Sequence, residues 1–113
     1  MNATATPTVN GKPIEICASA SFNDLYGGLE AALYTSEALK ALRKKPVDML
    51  VFEMAGEDQM RIRSAGYDLA TDSILDETTV IMQVESLHIK TFWFKIDDYG
   101  DKYVGTFIFP EDY

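Results

Sequence analysis

One cysteine and one histidine in 113 residues remove several kinds of chemistry at once. Cys17 has no partner for an internal disulfide, which suits a reducing compartment. Together with His88 it offers two soft ligands, too few for a zinc tetrad. Nucleophilic catalysis needs a base beside the nucleophile and a third group to orient that base. Cys17 and His88 meet only if the first strand lies beside the fifth, and no orienting residue stands out. His88 alternates with Phe92 and Phe94 and reads as a half-buried structural histidine. Cys17 follows Ile14-Glu15-Ile16 and reads as a small core residue. These residues give no grounds for assigning a catalytic residue, cofactor or metal.

Long apolar runs are also lacking. None approaches the length that spans a bilayer, and the first residues carry neither a basic segment nor a signal-type apolar stretch. The expectation is a cytoplasmic protein with no membrane partner. The length fits one domain, 1–113, with Met1 to Thr8 as a small, polar, loose N-terminus.

Positive charge is scarce, and unevenly so. Up to Pro46 there are five Lys/Arg against four acids, a net of +1; from Val47 onward five face fourteen, a net of −9. Nucleic acid is a poor partner for such a surface, because binding it requires neutralising phosphates. A basic protein is a good one, since complementary fields speed encounter and select partners. Solubility alone also accounts for an acidic surface.

What is present is an α+β pattern. Ser21 to Lys45 reads as one amphipathic helix, opened by Ser21 and Asp24 in capping-box spacing. Leu25, Leu29, Ala32 or Leu33, Ser36, Leu39 and Leu42 recur at steps of three and four as its inward stripe. Arg43-Lys44-Lys45 places cations at the negative end of the helix dipole, and Pro46 stops it. Gly27-Gly28 opposes a continuous helix, so the helix bends there, starts late, or takes a close backbone neighbour. A phosphate-cradling role would need a strand-to-loop fingerprint and a following Lys-Ser/Thr pair, which are missing.

Strands are expected around the helix. They are Ile14–Cys17, a central Val47–Met54, and Gln59–Arg63 with Met60 and Ile62 inward, ended by Ser64-Ala65-Gly66. Tyr67 to Glu77 fits either a helix or a strand and loop; like charges at Asp68, Asp72 and Asp76 favour the latter. Thr79–Val84, Leu87–Ile96 and Lys102–Phe109 complete the set. Short connections favour an antiparallel sheet of about five to six strands with the helix on one face. The order β-α-β-β-β-β-β resembles the cystatin-like arrangement in topology. The cystatin inhibitory loop, Gln-x-Val-x-Gly, is not matched by Gln83-Val84-Glu85-Ser86-Leu87, so protease inhibition by that route is not implied.

Two acidic clusters are the candidate partner-binding residues. Asp97, Asp98, Tyr99 and Asp101 form a hairpin tip with Gly100 placed for positive φ. Asp68, Asp72, Asp76 and Glu77 form a second patch, and Trp93 is an aromatic anchor if exposed. Asp97, Tyr99 and Asp101 alternate like the start of a calcium loop. The glycine falls one residue early, however, and Ile108 stands where the closing glutamate belongs, so a plain turn is preferred. The expected function is a non-enzymatic acidic module docking on a basic protein. Concretely, it would be an immunity- or antitoxin-like or phage-encoded inhibitor of a toxin or a nucleic-acid-handling enzyme. The alternative is a small-ligand-binding or small enzymatic cone-shaped domain with a pocket near Tyr26, Tyr34, His88 and Phe92. A homodimer through a strand edge is compatible with either.

Overall fold

The computed structural model describes residues 7–56, 59–71, 79–83 and 91–112, with the backbone alone for 79–83. Asn10-Gly11, both at positive φ, turns the short β1 (Thr8–Val9) into β2 (Lys12–Ala18). Pro7 already accepts a hydrogen bond from the Ile14 N–H at 2.9 Å, so the N-terminal segment joins the fold from there. β2 pairs with β7 (Tyr103–Ile108) as far as Ala18 opposite Phe107. Ser19 is therefore the first residue free to cap a helix. Its Oγ accepts the Phe22 N–H at 3.2 Å and opens α1 (Ala20–Leu25). The cap falls two residues before the expected Ser21, and Asp24 is exposed.

The expected single helix is two. Tyr26 has extended backbone at ψ 131°, and Gly27 is the N-cap of α2 (Gly28–Lys44). The break resets the helical phase, which corrects the predicted stripe. Leu29 is 91 % exposed and Leu33 42 % exposed, while Tyr34, Ala38, Ala41 and Leu42 are buried. Leu25 and Leu39 at the ends are partly buried against the core, as expected. Helix α2 ends among Arg43 and Lys44 just ahead of Pro46.

The remaining strands are β3 (Val47–Gly56), β4 (Gln59–Asp68), β5 (Thr79–Gln83) and β6 (Phe92–Asp98). The sheet order is β1-β2-β7-β6-β3-β4-β5. This is the α+β architecture the sequence predicts, a helical layer on one face of a sheet, with β3 well inside the sheet. One pair departs from the antiparallel rule: β2 runs parallel to β7. The reason lies in the connection. Helices α1 and α2 carry the chain from β2 to a β3 of the same direction, and the β6–β7 hairpin occupies the gap between them.

Strand β4 does not stop at Ser64-Ala65-Gly66. It continues to Asp68 opposite Val47, through a register shift between Val47 and Met49. Tyr67 and Asp68 are thus the end of β4 itself, paired with β3 rather than forming a separate strand through Ala70; Leu69 to Thr71 turn, and residues 72–77 lie outside the described residues. The core lies between helices and sheet. Phe22 stacks on Phe107 with centroids 4.9 Å apart, and Phe52 on Phe92 at 4.6 Å. Phe94 needs Gly105 beneath it, since a Cβ there would meet the ring at 2.2 Å from Cζ. No helix among the described residues is long and apolar enough to cross a membrane.

Candidate functional site

The alternation of β6 sorts its side chains into two sets. Phe92, Phe94 and Ile96 are buried toward the helices, while Trp93, Lys95 and Asp97 occupy the outer face. The hairpin that follows holds the first predicted cluster. Tyr99 donates its N–H to Lys102 O at 2.9 Å, and Gly100 has φ 93°, as the turn reading expects. Tyr99 is 64 % exposed, and Asp98 and Asp101 are exposed as well.

Two of the three carboxylates of this tip are engaged by lysines, Asp98 by one from β2 and Asp97 by one within β6, and a third lysine beside the tip reaches Glu15 of β2. Lys12 Nζ donates to Asp98 Oδ1 at 2.6 Å and to Gly100 O at 3.2 Å. The same ammonium sits 4.3 Å above the centre of the Tyr103 ring. Lys95 Nζ meets Asp97 Oδ1 at 2.8 Å, and Lys102 Nζ meets Glu15 Oε2 at 2.7 Å. The Lys12 hydrogen bond, followed by that from Gly100 N–H, holds the Asp98 carboxyl below its usual range; Asp98 raises Lys12 in turn. The tip is thus a built, largely charge-compensated turn. Sequence reading counted its acids but had no way to see Lys12 arrive from β2.

Of the second predicted patch, Asp68 is described, while Asp72, Asp76 and Glu77 lie outside the described residues. Asp68 Oδ1 accepts N–H groups of Ala70 at 2.7 Å and Thr71 at 3.3 Å, which ends β4 in a side-chain-capped turn. A different acidic grouping was not anticipated. Asp24, Glu111 and Asp112, from opposite ends of the chain, line one cleft of about 380 Å³ with Ser21, Leu25 and Phe109.

The chain matches no known protein family, no curated protein and no solved structure. What the site can do therefore rests on its own geometry. Cys17 is exposed, which corrects its assignment to the core: it shares the outer face of β2 with Glu15, opposite Ile14 and Ile16. His88 lies outside the described residues. Among the described residues no three His, Cys, Asp or Glu side chains are grouped to hold a metal ion. Tyr26, Tyr34 and Phe92, which the ligand-pocket alternative named, are buried in ring contact at 5.0 to 5.5 Å. Burial, with Tyr26 and Glu30 nearby, pushes the Tyr34 phenol far above its usual range and keeps it neutral.

Trp93 is half-buried on the outer face. With Asp48, Met49, Gly66, Tyr67 and Lys95 it lines a pocket of about 370 Å³. Gly66, at φ 82°, is what permits this arrangement. Asp48 Oδ1 occupies the place a Cβ would take and accepts the Tyr67 N–H at 2.8 Å. Tyr67 itself is 52 % exposed beside it.

Proposed function

We propose that this chain is a non-enzymatic protein-binding module, cytoplasmic in setting, that docks on a basic partner protein. The observation that carries the reading is the net charge of −9 from Val47 onward, against +1 before it. A field of that asymmetry favours association with a positively charged surface and disfavours nucleic acid. The cleft that Asp24, Glu111 and Asp112 line together supports the reading. So do Tyr99 and Asp101 at the exposed hairpin tip. In its concrete form the module is an inhibitor of the immunity or antitoxin kind, or phage-encoded, acting on a toxin or a nucleic-acid-handling enzyme.

The test is affinity capture from host lysate at low salt, with elution by rising salt and identification by mass spectrometry. A single basic protein released at moderate salt is the expected result, and its association rate should fall steeply with ionic strength. Capture of nothing specific by well-folded bait overturns the proposal.

A further inference from the structure

The face of α2 turned away from the sheet is not uniform. Leu29, Leu33, Ser36, Lys40, Arg43 and Lys44 are all exposed, and their spacing sets them on one stripe opposite the buried Tyr34 and Ala38. The stripe changes character along a helix of about 25 Å. Its first half carries two leucines, 91 % and 42 % exposed, and no charge. Its second half carries three cations, of which Lys40 is held by Glu37 at 3.2 Å. Arg43 and Lys44 make no ion pair among the described residues. Asp24 lies just ahead of the leucines, exposed and likewise without an ion pair among the described residues. The ground between is open, since a Cβ at Gly27 or Gly28 would meet nothing within 4 Å. Along the chain the order is therefore acid, apolar patch, base.

We infer that this stripe receives the same stripe of a second copy of the chain, antiparallel across a two-fold axis. A surface ordered acid, apolar, base is complementary to itself once turned through half a circle, whereas a parallel pairing would set the cations of one copy on those of the other. With the axis beside Leu33, that leucine meets its own counterpart. Leu29 then lies between Ser36 and the aliphatic stem of Lys40 of the second copy. Arg43 comes over the open turn at Gly27-Gly28 and reaches Asp24 of the second copy. The patch is small beside the roughly 800 Å² per partner of a standard interface, so the association is weak and reversible. The inference goes beyond the docking reading and does not depend on it.

Sedimentation equilibrium of the full chain should show the average mass rising from one protomer toward two between micromolar and millimolar concentration. Leu29→Ser should weaken the association about a hundredfold, because the two-fold counts each lost leucine twice. Its circular dichroism should match the wild type, since the leucine is 91 % exposed within the protomer. The decisive arm exchanges charges. Arg43→Glu and Asp24→Lys should each self-associate about tenfold more weakly, because both contacts then set like against like. Mixed in equal amounts, the two variants should return to the wild-type affinity, since both contacts regain opposite signs in the mixed dimer. Misfolding cannot imitate that recovery. A wild type that stays monomeric throughout, a dimer that Leu29→Ser leaves intact, or a mixture no tighter than its components overturns the inference. Dimerisation through a strand edge gives the second of these results, and a stripe built for a foreign protein gives the first.

Discussion

The two faces of strand β6 are built on opposite terms. On the helix side, Phe92 and Phe94 are fully buried and Ile96 is 3 % exposed, in a cluster of rings that also takes in Phe22, Phe52 and Phe107. On the outer side, Trp93, Lys95 and Asp97 are half-buried, and the last two form an ion pair. The same backbone therefore packs a ring core on one face and carries an ion pair on the other, and a substitution on the first face should cost far more stability than one on the second. Apolar burial contributes on the order of 1.5–3 kcal/mol per large side chain, whereas an exposed ion pair contributes about 0–1 kcal/mol. The helix side holds the fold.

The sharpest break of that contrast is Phe22→Ala. Phe22 touches Tyr26, Tyr34, Phe92, Phe107 and Phe109, so its removal leaves a cavity at the junction of helices and sheet. Urea denaturation should show a loss of about 3–5 kcal/mol, a large part of the stability of a domain this size. Gly105→Ala comes next. It inserts a methyl from β7 against the Phe94 ring of β6, and the ring must tilt or the strands part, at a cost of about 1–3 kcal/mol. Leu29→Ser, by contrast, should change stability by less than about 0.5 kcal/mol despite the leucine's place in the sequence pattern, because the side chain is 91 % exposed. A larger loss would mean that the stripe predicted from spacing is the buried one after all.

The leucine case shows why part of the fold is legible in sequence and part is not. The elements of the sheet follow from alternation, and Met60, Ile62, Phe92 and Phe94 face inward as their period of two requires. Helical spacing also finds Leu42 at the end of α2. In between, the pattern followed the leucines, whereas the break at Gly27 rotates the helix so that Tyr34 and Ala38 face the core. A period read across a glycine pair carries no phase beyond it. The parallel β2–β7 pair was not legible: a helical connection admits either direction for the next strand, and only the insertion of the β6–β7 hairpin between β2 and β3 sets β2 beside a strand of its own direction. The acidic tip was legible as a turn but not as a compensated one. Lys12 stands 86 residues from Asp98, and such an ion pair is a tertiary fact. The Trp93 pocket depends likewise on the bulge that lets Asp48 reach across Gly66.

The smallest expected effect tests the outer, charged side of the comparison at the Lys12–Asp98 bridge. The folded Asp98 carboxyl is held below its ordinary value of 3.8, chiefly by the Lys12 hydrogen bond. A depressed carboxyl stabilises the fold above its unfolded value, and that contribution disappears as pH falls through the lower folded value. Lys12 is raised above 10.5, so its share is complete below that value and is lost as pH climbs through the higher folded one. Between those limits the bridge is fully present. Asp98→Asn should therefore be slightly less stable than the wild type from about pH 5 to 9. The two stability curves should converge in strong acid, where both chains carry a neutral side chain at this position. High salt should narrow the gap at neutral pH, because the pair is exposed to screening. Urea midpoints measured at pH 2.5 and pH 7, with and without added salt, check both. A gap that persists unchanged at pH 2.5 would assign the effect to the Asp98 hydrogen bond with Gly100 N–H rather than to charge. The tip would then be held by turn geometry, with Lys12 left available to neutralise a different acid.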